Sequence, residues 1–319
     1  MIDRRRFLGT AAAAAGAAAL AAPGVLRAQE RTIRMGSLRL IHSMTPHFYQ
    51  QFAPAGVTIE VITFDSPTDG KNAVVTKSVD FGGFGIAAAT AGASAGEPVV
   101  VIGALCNRGM GVIARPDAGV ATLADLRGKR VGIWPGSTQE VFIMERLRME
   151  GMSIRDVQAV RVPFGEMHAM LTRGDIDAYV GAEPGPALSI TSGEGVLVEY
   201  PYGTSMGGLN MIFGTHEDVV NDDPDLAAMM LSIHRDASVH MMANLDEVAE
   251  KTVQVLGAGR AAVDQALEAG NVEYIWALDD TVMTQSRTYA QQMLELRQIR
   301  ALPDFDVFLN PTFSAALAV

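Results

Sequence analysis

The residues best placed to do chemistry sit where apolar runs give way to capped helices. Trp134-Pro135-Gly136-Ser137-Thr138-Gln139 is the strongest such stretch. Pro135 and Gly136 permit a tight turn, and Ser137 with Glu140 has the spacing of a capping box. The free N–H groups of the new helix then stand beside the Ser137 and Thr138 hydroxyls, a setting that suits a carboxylate, sulfonate or nitrate. Ser137 capping its own helix explains the same residues without a ligand. Ser43-Met44-Thr45-Pro46 and Asp65-Ser66-Pro67-Thr68 offer small hydroxyls at two further helix starts, and ordinary capping explains each equally well. Gly82-Gly83-Phe84-Gly85-Ile86-Ala87 lets backbone approach a ligand, with Phe84 as a wall, but lacks the Gly-Lys-Ser/Thr ending of a phosphate loop. Arg108, after an apolar run, either clamps an anion through two parallel bonds or lies solvated at the surface. Glu183, before Pro184, either holds an amine or N–H donor or caps the next helix.

Other chemistries lack their residues. The six histidines show no zinc spacing with an adjacent acid, and His42 and His47 read as polar lining or surface residues. There is no Gly-x-Ser-x-Gly elbow. Cys106 is the single cysteine, so no intrachain disulfide can form, and its place in an apolar run reads as a buried, inert thiol. No catalytic residue, metal or cofactor is expected.

The elements that must position these residues alternate short apolar strands with helical stretches, the pattern of an α/β chain with mainly parallel sheets. Strands read at 32–38, 57–64, 79–82, 99–105, 111–114, 131–134, 159–162, 176–180, 196–200 and 210–213. Asp222-Asp223-Pro224 caps a long helix through about 243, and the chain is largely helical from there to 299. A weak internal echo links Thr76-Lys77-Ser78-Val79-Asp80-Phe81 with Thr172-Arg173-Gly174-Asp175-Ile176-Asp177. In each, a helix ends in a basic and a small residue and a hydrophobic-Asp strand follows, which two lobes built from one unit would produce, as would chance. The chain is expected to cross between lobes near 112–118 and again near 205–215, which makes a hinge and a closable cleft. The expected division is a signal over 1–28, one lobe from 29–113 and 214–319, and a second from 114–213.

Asp3-Arg4-Arg5-Arg6-Phe7-Leu8 matches the twin-arginine export pattern, an alanine-rich run follows, and Leu26-Arg27-Ala28-Gln29 permits cleavage after Ala28. That places the mature chain in the periplasm. Removing 1–28 leaves 21 basic and 35 acidic residues. Such an acidic chain has no general attraction for nucleic acid or anionic lipid. No later run of 18 apolar residues exists to span a bilayer.

Together, Thr122-Leu123-Ala124-Asp125-Leu126-Arg127-Gly128-Lys129-Arg130-Val131-Gly132 with Gly136-Ser137-Thr138, Gly174-Asp175-Ile176-Asp177-Ala178 with Glu183-Pro184, and Ser78-Val79-Asp80-Phe81-Gly82 carry a family likeness. Over about 31–300 the chain resembles the extracytoplasmic solute-binding proteins of ABC importers, in the nitrate/sulfonate/taurine and thiamine-pyrimidine group. The resemblance implies a type II periplasmic-binding-protein fold: two α/β lobes, two crossover strands as hinge, and one small polar solute in the cleft. It implies a membrane permease and its ATPase as partners of a soluble monomer, with binding by hinge closure rather than catalysis. Strand-to-helix turns supply the ligand contacts in relatives, which here match Ser43, Thr45, Ser66, Ile86, Ser137, Thr138 and Glu183. Sulfonate and taurine binders often carry tryptophan where this chain has Ala182, and the cysteine-rich motif of the thiamine-pyrimidine synthases is absent. A sulfonate, taurine, nitrate or similar solute is the first expectation; a pyrimidine or thiamine-precursor binder, or an enzyme on the same fold, is the alternative.

Overall fold

The computed structural model describes residues 30–318; the export signal expected over 1–28 lies outside them. Two sheets divide the strands. The first contains β1 (Arg31–Leu38), β2 (Val57–Phe64), β3 (Phe81–Gly85), β4 (Val99–Arg108), β10 (Leu209–His216) and β11 (Val272–Tyr274), in the order β11-β4-β10-β3-β1-β2. The second contains β5 (Met110–Ala114), β6 (Arg130–Ile133), β7 (Gln158–Arg161), β8 (Ala178–Ala182) and β9 (Val196–Glu199), in the order β7-β6-β8-β5-β9. Each sheet begins as a parallel unit, β2-β1-β3 in one and β7-β6-β8 in the other. Each then accepts an antiparallel strand, β10 or β5, that arrives from the opposite lobe.

Helices α1 (Pro67–Val75) and α2 (Ile86–Ser94) join the strands of the first lobe; α3 (Thr138–Met149), α4 (Phe164–Thr172) and α5 (Gly185–Thr191) join those of the second. After β10 come α6 (Glu217–Asp222), α7 (Pro224–Ala243), α8 (Leu245–Leu256), α9 (Arg260–Glu268), α10 (Asp280–Glu295) and two short C-terminal helices, α11 (Phe305–Phe308) and α12 (Thr312–Leu317). Asp223 starts α7 by accepting a hydrogen bond from Leu226 N, with Pro224 in the first turn, as the sequence predicts. No helix among the described residues is long and apolar enough to cross a membrane.

The internal echo is a matched pair of structural joints. Asp80 accepts from the Arg34 backbone N–H at 2.8 Å and from its guanidinium. Asp177 does the same to Arg130, at 2.9 Å from the backbone. Each aspartate thereby ties the third strand of its parallel unit to the first, β3 to β1 and β8 to β6, and the Arg130 guanidinium holds the Asp177 carboxyl below the usual carboxylate range. Lys77 and Gly174, the residues that turn each helix toward its aspartate, both adopt positive φ.

The first crossing lies earlier than 112–118. Arg108 and Gly109 both take positive φ, 65° and 83°, which ends β4 in the first sheet and starts β5 in the second. Only glycine fits at 109: a Cβ there would lie 2.6 Å from the His42 ring. The return crossing runs between Glu199 and Leu209.

Candidate functional site

The carboxyl ends of β1 and β2 face those of β6 and β7 across the gap between the lobes, and a cavity of about 440 Å3 lies there. Its first-lobe wall is Arg39, Leu40, Asp65, Ser66 and Asp69; its second-lobe wall is Trp134 and the turn Pro163-Phe164-Gly165-Glu166. Leu40, Ser66 and Phe164 are buried, while the charged residues ring the mouth. Ser66 caps α1 by accepting from Asp69 N at 3.1 Å and donates its hydroxyl to the Asp69 carboxylate at 2.7 Å. Arg39 pairs with Asp65 at 3.1 Å. The Arg161 guanidinium lies over the Trp134 ring, 4.9 Å from its centroid, which fixes the ring plane. The lining thus offers two aromatic rings, three carboxylates and one guanidinium already neutralised.

Deeper in, toward the crossings, the lobes touch. Thr138 donates its hydroxyl to Asn210 O at 3.3 Å, and Tyr289 of α10 donates to Thr138 O at 3.0 Å. Gly85 permits this approach, since a Cβ there would stand 2.6 Å from Thr138 Oγ1. Beside this contact, Glu183 joins both lobes. Its carbonyl accepts from Ile41 N at 3.1 Å, its Oε1 from Asn271 Nδ2 at 2.8 Å, and its Oε2 from Ala187 N at 3.0 Å. Asn271 Oδ1 in turn accepts from Tyr202, whose hydroxyl also meets both backbone groups of Met110. Burial, opposed by these two donors, pushes the Glu183 carboxyl up to about 7.

Of the nine residues singled out from the sequence, Ser66 alone lines the cavity. Ser43 Oγ accepts from Leu38 N at 2.9 Å and Ser43 O accepts from Ser37, so this residue fastens the end of β1. Thr45 is fully buried with its hydroxyl unpartnered. Ile86 opens α2 inside the apolar core. Arg108 donates to Gly270 O at 2.7 Å and does not reach the cavity. Ser137 Oγ accepts from Glu140 N, and Glu140 accepts from Gly136 N at 2.8 Å, so two of the N–H donors at this helix start are satisfied internally. Thr138 and Glu183 belong to the lobe contact.

The sequence reading missed Trp134 as a wall, although it heads the quoted turn. It also missed the Pro163-Phe164 turn, which the carboxyl-end rule applied to the 159–162 strand points to. His42 is buried rather than superficial; burial holds its imidazole down at about 3, and Nδ1 has no partner. Cys106 is fully buried, and burial pushes its thiol up. Among the described residues, no group of three or more His, Cys, Asp or Glu converges on a metal site.

Solved structures share this arrangement. The alkanesulfonate-binding protein SsuA from Xanthomonas axonopodis pv. citri, bound to MOPS, superimposes with a TM-score of 0.78, at 18% identity over 89% of this chain and 100% of that one. The periplasmic nitrate-binding protein NrtA from Synechocystis PCC 6803 gives 0.72, at 16% identity over 90% and 89%. These likenesses establish the periplasmic-binding-protein fold. A curated relative, 4-amino-5-hydroxymethyl-2-methylpyrimidine phosphate synthase from Uromyces fabae, is 29% identical over 134 residues, 41% of this chain. The chain spans about two fifths of that relative's length, 39%. The family model described as NMT1/THI5 like matches residues 50–247, more than half of the chain. The chain therefore belongs to the NMT1/THI5-like family.

Proposed function

We propose that this protein is an extracytoplasmic solute receptor that captures a small organic molecule between its lobes and delivers it to an ABC permease and its ATPase. The observation that carries this reading is the cavity of about 440 Å3 walled by strand ends of both sheets, because closing the lobes then buries whatever it holds. Release requires only the reverse motion about the two crossings.

The lining favours a flat solute with N–H donors over a sulfonate or nitrate. Trp134 and Phe164 offer ring faces, and Asp65, Asp69 and Glu166 offer acceptors, whereas an anion would find only Arg39, already beside Asp65. An aminopyrimidine meets both demands, and the pyrimidine named for the curated relative has the same chemistry. That partial match also favours a second reading, an enzyme on this fold. Such an enzyme would have to use the carboxylates of Asp65, Asp69 and Glu166 as its bases, since no histidine, cysteine or lysine lines the cavity.

Thermal-shift and calorimetric titration with 4-amino-5-hydroxymethyl-2-methylpyrimidine, taurine and nitrate separates these readings. The pyrimidine should raise the melting temperature and be recovered unchanged. Asp69→Asn should weaken its binding by about 1–3 kcal/mol, the usual cost of losing a satisfied charged contact. Tighter binding of taurine or nitrate would overturn the solute assignment, and turnover of the pyrimidine would establish the enzyme.

A further inference from the structure

A larger cavity, about 680 Å3, lies wholly within the first lobe. It is bounded by the last turns of α7, the rung where Glu273 of β11 pairs with Asn107 of β4, the loop after β11, and the first turns of α10. We propose that this cavity is a second binding site, for an organic cation with an apolar body such as an arylalkylammonium.

Its volume falls in the range of small-molecule sites. Two carboxylates supply the charge. Glu273 accepts one hydrogen bond, from Asn107 Nδ2 at 3.0 Å, and Asp279 accepts one, from Val282 N at 2.8 Å, where it caps α10. Among the described residues, neither forms an ion pair, and no lysine, arginine or histidine lines the cavity. The Oδ1 of Asn107, beside Glu273 and shielded from solvent, has no hydrogen-bond partner. Apolar contact is available as well: Val239 and Met242 are 59% and 42% exposed. Trp276 adds a ring on which a cation or an aromatic body can rest. The chain's net charge of −11 draws cations toward it and repels anions.

The two tryptophans make the test independent of the interlobe reading, since Trp134 lies in one cavity and Trp276 in the other. In a Trp134→Phe protein, fluorescence reports Trp276 alone, and in Trp276→Phe it reports Trp134 alone. The probe is 2-phenylethylammonium, with 2-phenylethanol and 3-phenylpropionate as its neutral and anionic counterparts. The ammonium should change Trp276 fluorescence saturably, more tightly than the alcohol by about tenfold, and the carboxylate should not saturate. Glu273→Gln with Asp279→Asn preserves the Asn107 contact and the helix cap; it should bring the ammonium down to the affinity of the alcohol. Met242→Lys, at an exposed position, should abolish ammonium binding with an unchanged melting temperature. Equal binding of all three probes, ammonium affinity unaltered by Glu273→Gln with Asp279→Asn, or a response confined to Trp134 would each overturn the proposal.

Discussion

Glu183→Gln isolates the energetic cost of the buried carboxyl that joins the two lobes. The Glu183 carboxyl titrates near 7 in the folded chain instead of about 4.5, mainly through burial. Because the folded state binds this proton more tightly than the unfolded chain does, the group destabilises the fold fully above pH 7. That penalty is relieved as pH falls from 7 toward 4.5. A shift of this size corresponds to about 3 kcal/mol between the two ends of the window. Three histidines, two buried and His47 partly so, act in the opposite sense over much of the same range. His42, His47 and His234 are held near 3, 4 and 4, so the unfolded chain takes up their protons first and stability falls as pH drops below 6.5. Wild type alone therefore gives a mixed profile, whereas the difference between wild type and Glu183→Gln cancels the histidines. The amide that replaces the carboxylate keeps one acceptor oxygen for the two N–H donors of Asn271 and Ala187, which adds a pH-independent cost of about 1–3 kcal/mol. Urea unfolding of both proteins from pH 5 to 8 reads the difference. The variant should gain on wild type by about 2.5 kcal/mol as pH rises from 5 to 8. A flat difference would refute the reasoning.

Gly85→Ala should drive a methyl against Thr138 Oγ1, costing about 1–3 kcal/mol of closed-state stability and raising the radius of gyration in small-angle scattering; adding Thr138→Ala should restore compactness. Asp80→Ala and Asp177→Ala should each lower unfolding stability by about 1–3 kcal/mol, since each strands an Arg backbone N–H. Thermal unfolding of the double variant should show near-additive losses, because the two joints share no partner.

Much of this architecture is legible in the residues. Val57–Phe64 and the Pro224–Ala243 helix have the bounds their alternation and capping predict, and the Asp80 and Asp177 echo marks the same joint in two sheets. Strand β3 runs from Phe81 to Gly85, later than the 79–82 expected for it; the low strand propensity of Gly82, Gly83 and Gly85 masks it in the sequence. Pairing with β10 and β1 extends them, and neighbours leave no room for a side chain: a Cβ on Gly83 would lie 2.6 Å from Leu105. Three-residue β11 carries no pattern of its own and is defined by pairing with the edge of β4. The site is legible only in outline. Of the turns named from the sequence, the cavity takes Ser66 and the Trp134 turn, while Ser43 and Glu183 make structural contacts instead. Ser43 and Ser137 are consumed by local backbone groups; for Ser137 this is the capping alternative its spacing to Glu140 offered, whereas the bond from Leu38 N to Ser43 leaves no mark in the spacing.

The reciprocal loan of β10 and β5 between the sheets has a consequence for how the chain matures. The second sheet is drawn from one uninterrupted stretch, 110–199, so all its partners have been synthesised once that stretch has emerged. The first sheet lacks the rib between β3 and β4 until Leu209–His216 arrives, after the whole second sheet has been made. Until then β3 and β4 have apolar edges with no neighbour, and closing them requires a loop of about a hundred residues, the kind of distant pairing that slows folding and exposes aggregation-prone surface. The lobe encoded first is thus the last to be finished.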